Sequence, residues 1–243
     1  MRLALLSDVH GNRHAFEAVL AEIDAAAVDA VWCLGDLVGY GADPDACVAL
    51  ARERCDLVLA GNHDLAVTGA LPIEDFSSGA AAAVAWTQRH LSDEHREVLA
   101  GLVPRAAREG VGLYHASPRD PVWEYVLSDL LAELCLDAQD ERVCAIGHSH
   151  VALSFARGTD RRVEGALRPP GEPLSLAAGE WLVNPGSVGQ PRDGDPRAAW
   201  LLLDTGDWRA QWRRCDYDVA GAQEAIRRGG LPESLATRLG YGQ

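Results

Sequence analysis

The chain of 243 residues contains no lysine, so every fixed side-chain cation is an arginine. We read that as a compositional bias and not as a functional device. Basic residues are also outnumbered, 22 Lys+Arg against 36 Asp+Glu, for a formal net charge of −14. Such a chain repels polyphosphate backbones, which argues against broad nucleic-acid binding. An anionic substrate must therefore meet a local positive feature, such as a metal site or a placed arginine. No C-x-x-C pair occurs among the six cysteines Cys33, Cys47, Cys55, Cys135, Cys144 and Cys215. That excludes a zinc knuckle and points to buried free thiols in a reducing compartment. No run approaches the ~20 apolar residues of a membrane span. The opening MRLALLSDVHGN has only a short apolar stretch, too short for a secretory signal. A cytoplasmic protein is expected. With 48% apolar and 24% charged residues, a disordered or collagen-like chain is excluded.

What is present alternates. LALLSD (3–8), AVWCLGD (30–36) and LVLAGNHD (57–64) read as buried strands. Helices are expected between them: 13–24, with Phe16, Val19, Leu20 and Ile23 on one face, and 45–54. Two further strands, VGLYHAS (111–117) and RVCAIGHSH (142–150), flank a helix at 127–137. Ser77 or Ser78 and Ser92 are candidate N-caps. This β-α-β pattern implies a mainly parallel sheet with helices on its faces. After residue 150 the texture becomes antiparallel β, with a hairpin turning at Thr205-Gly206. In WRAQWRR, Trp208, Ala210 and Trp212 should face inward, and Arg209, Gln211 and Arg213 outward. The last 25 residues read as one or two short helices broken at Gly229-Gly230 and Pro232. At about 150 residues per domain the length alone permits roughly 1.6 domains. No linker divides the chain, so a single domain over 1–243 is expected, with a helical tail at about 219–243.

Five strand ends carry residues of metal-ligand type: Asp8 and His10; Asp36; Asn62, His63 and Asp64; His115; His148 and His150. Each set closes an apolar run, at the edge where open α/β sheets bind ligands. Asp8 and His10 are two apart, so on an extended strand both would point the same way, and His148 and His150 repeat the spacing. Five of the eight histidines fall in these blocks; His14, His90 and His95 read as surface helix residues. Gly39-Tyr40-Gly41 lacks the third glycine of a dinucleotide loop and more plausibly shapes the rim of the site. Gly147-His148-Ser149-His150 is not a nucleophile elbow, because no second glycine follows the serine.

In order, D-x-H, G-D, G-N-H-D, a lone H and G-H-x-H resemble the calcineurin-like metallophosphoesterase family. The resemblance runs from residue 1 to about 200, and Asn184-Pro185-Gly186-Ser187 resembles a segment of its small bacterial phosphodiesterase branch. It implies a four-layer αββα sandwich with two mixed sheets, an α/β fold. It also implies a dinuclear site: Asp8, His10 and His150 on one metal, Asn62, His115 and His148 on the other, Asp36 bridging. His63 would face the substrate and Asp64 would orient it.

Two cations about 3.5–4 Å apart can clamp a phosphoryl group and activate a bridging hydroxide as nucleophile. His63 could protonate the leaving oxygen. The mixed N/O donor set suits two divalent or trivalent transition-metal ions, Mn foremost, with Fe, Zn, Ni or Co as alternatives. The branch resemblance favours a small phosphodiester substrate. Phosphomonoesterase, protein phosphatase, dinucleoside polyphosphate hydrolase and a non-catalytic metal-bound scaffold are the alternatives. Arg119 and Arg192 are candidate phosphate contacts, each weighed against a loop salt bridge. Asn12 is a candidate substrate contact weighed against a helix cap. The C-terminal helices leave room for a homo-oligomer.

Overall fold

The computed structural model describes residues 1–243. The chain opens with β1 (Arg2–Leu6), α1 (Arg13–Ala26), β2 (Ala30–Cys33), α2 (Pro44–Arg54), β3 (Leu57–Val58) and the short α3 (Asn62–Val67). Next come α4 (Ser78–His90), α5 (Asp93–Ala100), β4 (Arg105–Arg108), β5 (Val111–Tyr114), α6 (Asp129–Ala138) and β6 (Val143–Ala145). The remainder is β7 (Ala152–Arg157), β8 (Val163–Leu167), β9 (Leu174–Ser175), β10 (Glu180–Pro185), β11 (Ala198–Asp204), β12 (Arg209–Cys215), α7 (Val219–Arg228) and α8 (Glu233–Leu239).

The strands form two six-stranded mixed sheets, in the orders β3-β2-β1-β11-β12-β9 and β4-β5-β6-β10-β7-β8. The expected split into a parallel first part and an antiparallel second part is redistributed. β11 pairs antiparallel with β1, and β10 lies parallel to β6 and antiparallel to β7. Each sheet thus combines N-terminal and C-terminal strands, so the two parts of the chain share both cores.

Alternation along β1 shows how the layers arise. Leu3 and Leu5 join Trp32, Leu113, Val143, Leu201 and Trp212 in the core between the sheets. Ala4 and Leu6 point the other way, into the core under α1 and α2 with Phe16, Val19 and Trp200. A strand buried on both faces needs apolar residues at successive positions, which is why LALL has no polar alternation. The second sheet packs its outer face on α6 through Ala132, Cys135, Leu136 and Phe155. The result is the expected αββα order. In β12, Ala210 and Trp212 face the inter-sheet core, and Trp208 packs against it from the turn before the strand.

α1 presents the expected buried face of Phe16, Val19, Leu20 and Ile23. Ser92 caps α5 with its hydroxyl, whereas Ser77 stands at the start of α4 without a side-chain cap bond. The C-terminal helices break where expected, between Arg228 and Glu233. They form a small core, Ile226, Leu231, Leu235 and Leu239, against Ala83 of α4, with Tyr40 and Trp86 packed on it. All six cysteines are free thiols. No helix is long and apolar enough to cross a membrane.

Candidate metal centre

The ligand-type residues stand just beyond strand ends, not on the strands. β1 stops at Leu6 and β6 at Ala145. Asp8, His10, Asp36, His148 and His150 all have left-handed backbone, with φ between 52° and 62°. The expectation that Asp8 and His10 point together through the pleat of an extended strand is therefore corrected. They converge because two left-handed residues bracket Val9 and fold the chain back. For non-glycine residues this conformation carries strain, which structures concentrate at functional sites. Likewise LVLAGNHD is a strand only at Leu57–Val58, and Asn62 to Asp64 open α3.

These turns bring side chains from both sheets together. Asp8 Oδ1 lies 3.5 Å from His150 Nε2 and 3.9 Å from His10 Nε2. Asp36 Oδ2 lies 3.5 Å from His10 Nε2 and 3.6 Å from His115 Nε2. His115 Nε2 lies 3.2 Å from Asn62 Oδ1. Asp8, His10 and His150 form one potential cation cluster, and Asp36, His115 and His148 another. Asp8, His10, Asp36, Asn62, His115, His148 and His150 are all buried.

The hydrogen bonds behind the cluster orient it. Three rings place Nδ1 against a main-chain carbonyl: His10 on Val38, His115 on Leu34 and His150 on Gln190, at 3.0, 2.9 and 2.7 Å. Carbonyls only accept, so these rings carry their proton on Nδ1 and turn an Nε2 lone pair inward. His148 is reversed: its Nε2 donates to the Trp123 carbonyl. The carboxylates are half-committed too. Asp8 Oδ2 accepts from His148 N and Asp36 Oδ1 from His63 N, while Asp8 Oδ1 and Asp36 Oδ2 are buried without a partner.

Bare carboxylate oxygens facing bare imidazole lone pairs, with His10 Nε2 and His150 Nε2 3.1 Å apart, repel unless a cation lies between them. Burial pushes the Asp8 carboxyl up to about 7 and the Asp36 carboxyl well above its usual range, the latter helped by the Asp64 charge. Burial holds His10, His148 and His150 well below the usual imidazole range, so they are neutral, as metal ligation requires. The residues present fit bound metal ions.

Close packing holds the loops. A Cβ on Gly61 would sit 1.9 Å from Asp36 Oδ1, so only glycine lets α3 start this near the carboxylate. The Asn184-Pro185-Gly186-Ser187 segment braces the ligand turns from behind: Asn184 Nδ2 donates to the Gly147 carbonyl and to Ser149 Oγ, and Ser187 Oγ to the Asp8 carbonyl.

The remaining site residues divide. His63 lines the cavity above the cluster, its ring 4.9 Å from that of His10. Burial, then Arg192 and His115, lower its imidazole to about 3. Asp64 does not orient the His63 ring. Its carboxylate accepts from Gly61 N and Val38 N, and His63 Nδ1 has no hydrogen-bond partner. As the third residue of α3, Asp64 is better placed to tie the turn before it than to reach its neighbour's ring. Arg192 lines the cavity, with its guanidinium over the Tyr40 ring and Nη2 on Gln190 Oε1. It forms no salt bridge to its neighbour Asp193, which pairs with Arg214.

For Arg119 and Asn12 the structure favours the structural alternatives weighed against substrate contact. Arg119 pairs with Glu124 at 3.2 Å and lies outside the cavity wall, a loop salt bridge with a different acid from its neighbour Asp120. Asn12 caps α1 through Oδ1 and donates through Nδ2 to the Gly189 carbonyl, which leaves its side chain no free group for a substrate.

The cavity holds about 200 Å³. Tyr40, expected at the rim, lines it together with Asp75, Phe76, Trp123 and Tyr125, which sequence reasoning did not single out. Their one sequence signal was position, close after the Asp64 and His115 blocks.

A family model for the calcineurin-like phosphoesterase superfamily domain matches residues 1–207. The chain belongs to that superfamily. A metallophosphoesterase from Sphaerobacter thermophilus is 40% identical, with a TM-score of 0.90 over 100% of this chain and 99% of that one. An uncharacterized protein from Methanocaldococcus jannaschii is 34% identical over 99% of this chain and 98% of its own length. A hypothetical protein from Pyrococcus horikoshii shares the fold at 19% identity, with a TM-score of 0.82 over 100% of this chain and 98% of that one. Family membership and the Asp/His clusters together support a metal-dependent phosphoester hydrolase.

Proposed function

We propose that the chain hydrolyses a small phosphodiester in this cavity, using two metal ions held by its side chains. The observation that carries the reading is the pair of bare oxygens, Asp8 Oδ1 and Asp36 Oδ2, buried among inward-facing imidazole lone pairs. Asp8, His10 and His150 would hold one ion and Asn62, His115 and His148 the other, with Asp36 between the two sets. Oxygen and imidazole donors without thiolate suit Mn, Fe, Co, Ni or Zn better than Mg or Ca, and Mn is the ion we favour. When bound, the ions supply Lewis acidity toward phosphoryl oxygens and toward water.

The chain's own groups do the rest. Arg192 is the one arginine on the cavity wall and offers its guanidinium to a non-bridging phosphoryl oxygen. His63, neutral in its buried setting, offers a ring N–H as a hydrogen bond to the charge developing on the leaving oxygen, and its packing between Tyr40 and Phe76 keeps it directed at the cavity. Asp64 is a positioning residue for the turn that starts α3. A diester is favoured because it is a monoanion with a second organic group. One fixed arginine suits the charge, and the aromatic wall suits the group.

The test is hydrolysis of bis-p-nitrophenyl phosphate and p-nitrophenyl phosphate, with EDTA and then with Mn²⁺, for the parent and for His63→Ala. The diester should be cleaved faster, only with metal, and His63→Ala should lose about 10²–10³-fold while still binding Mn²⁺. Preference for the monoester would make the protein a phosphatase. Metal binding without turnover would make it a scaffold.

A further inference from the structure

Four aromatic rings converge on the cavity, although aromatics are only 6% of the chain. Phe76 stands edge-on to Trp123 at 5.1 Å and to His63 at 5.0 Å. Tyr40 packs on His63 at 4.5 Å. Tyr125 stacks on His148 at 4.1 Å with 21° between the planes, yet is 45% exposed. Rings linked this way form a wall that runs from the metal ligands to solvent.

Core packing explains the wall only in part: Phe76 leans on the core under α1 and α2, whereas Trp123 and Tyr125 join no hydrophobic core. Phe76, Trp123 and Tyr125 lie in loops, outside the helices and strands, and none is fully buried. Trp86, Trp181, Trp200 and Trp212 each donate their indole N–H within the protein, whereas Trp32, Trp123 and Trp208 do not, and of these three only Trp123 lines the cavity. Its loop is nevertheless held. Trp123 N donates to Asp120 Oδ1, Ser117 Oγ donates to Glu124 Oε2 at 2.6 Å, and the Trp123 carbonyl accepts from His148. A partly buried indole on a braced loop beside the ligands is a preformed stacking surface.

The charged lining is asymmetric. Beyond the metal-ligand set and His63, it holds one arginine, Arg192, and one carboxylate, Asp75. Asp75 takes part in no salt bridge, although arginines are abundant on the surface. A carboxylate on the wall of a phosphate-ester site repels the phosphate but accepts N–H groups. Exocyclic amines of heterocyclic bases are such groups.

We infer that the wall of Phe76, Trp123 and Tyr125 selects phosphodiesters carrying a planar heterocyclic base, that is, nucleotide-type esters. The base stacks on Trp123 against the edge of Phe76, with Asp75 in reach of an amino group, while the phosphate sits at the His/Asp cluster beside Arg192. This deepens the phosphodiesterase reading and rests on it.

The experiment is titration calorimetry of the Mn²⁺-loaded protein with adenosine 5′-monophosphate and with ribose 5-phosphate, alongside the bis-p-nitrophenyl phosphate assay. The two ligands share sugar and phosphate and differ by the base. One stacked base is worth about 5- to 100-fold in affinity. The nucleotide should bind at least about fivefold tighter in the parent. Trp123→Leu should abolish that preference and leave ribose 5-phosphate affinity within about twofold, whereas Trp123→Phe should retain most of it. Asp75→Asn should weaken the nucleotide alone. Equal affinities in the parent, or a preference that survives Trp123→Leu, would overturn the inference and leave the phosphodiesterase reading standing. A preference for the nucleotide without any diester turnover would support the stacking wall and overturn the phosphodiesterase reading instead.

Discussion

Asp36 accepts a hydrogen bond from the backbone N–H of His63 at 2.9 Å through one carboxylate oxygen and leaves the other bare between His10 and His115. One side chain thus places His63, proposed to face the substrate, and completes the proposed ligand set. Asp36→Asn separates these duties, because an amide oxygen can still accept from His63 N but the bridging charge is gone. We expect the fold to persist, with a melting temperature close to the parent's. Mn²⁺ affinity should fall by at least ~10²-fold, since loss of a mere supporting group around a metal already costs ~10–100-fold. Calorimetric titration with Mn²⁺ measures it, and unchanged affinity would remove Asp36 from the ligand set.

Arg192 has the opposite profile, touching the cavity but no carboxylate. Arg192→Gln should raise KM for a diester about 10- to 100-fold, as loss of a charge-assisted hydrogen bond worth ~1.5–3 kcal/mol implies, with Mn²⁺ affinity unchanged. Arg192→Lys should recover only part, because a point charge lacks the planar fork. A fall in metal affinity in either variant would mean that Arg192 supports the ligand turns instead.

Much of the architecture and the cluster was legible because its signals are local. Leu3 to Asp8 read as a buried strand, and Phe16, Val19, Leu20 and Ile23 as one helix face. The five blocks named every side chain that meets at the cluster. What did not show in the sequence is non-local or conformational. Nothing in D-x-H says that Asp8 and His10 sit in left-handed backbone after the strand has ended, since each is strained locally and held only by the finished fold. β10 inserts between β6 and β7, a pairing across long sequence separation that periodicity does not encode. Phe76, Trp123 and Tyr125 escaped for a related reason: in loops they follow no period, and only tertiary structure puts them on one wall. The role of Asp64 was carried over from the resemblance, and the salt bridge weighed for Arg119 was with its chain neighbour Asp120, whereas the folded chain gives Asp64 two main-chain N–H groups and Arg119 the carboxylate of Glu124.

Away from the site, Arg157 and Glu180 are directly opposite on β7 and β10, with Arg157 Nε 2.7 Å from Glu180 Oε2. Arg157 is almost fully buried and also meets Asp137 and the Leu136 carbonyl. The hydrogen bond from Arg157 lowers the Glu180 carboxyl below its usual range, against a smaller opposing effect of burial. A depressed carboxylate contributes stability that is present above the unfolded value of about 4.3 and is lost as pH falls through the folded value. Glu180→Gln should therefore be less stable than the parent at pH 7, and the gap should close between about pH 4.3 and more acidic solution. Urea unfolding at pH 7, 5 and 3.5 measures it, and a gap independent of pH would show that the pair acts through shape and not charge.

The last prediction concerns the metal ions themselves. His10 Nε2 and His150 Nε2 face each other at 3.1 Å, and two buried carboxylate oxygens have nothing to accept. That arrangement destabilises the native state unless cations fill it, and the unfolded chain has no comparable site. Binding should therefore appear directly as folding stability, by about 2.7 kcal/mol at a free metal concentration one hundred times Kd. Thermal melts after EDTA treatment and after adding Mn²⁺ should differ by several degrees, for a ΔΔG of 1 kcal/mol moves a domain of 150–250 residues by roughly 2–4 °C. The gain should shrink in Asp8→Asn, which removes one carboxylate charge from the first cluster. The same variant should melt higher than the parent when both are metal-free, because it no longer holds a buried carboxylate without a partner. An EDTA-treated parent that melts no lower than the Mn²⁺-loaded protein would mean that the cluster does not bind the ion. If Asp8→Asn lowered the metal-free melting temperature, Asp8 would serve the fold through His148 N and not chiefly through its free oxygen.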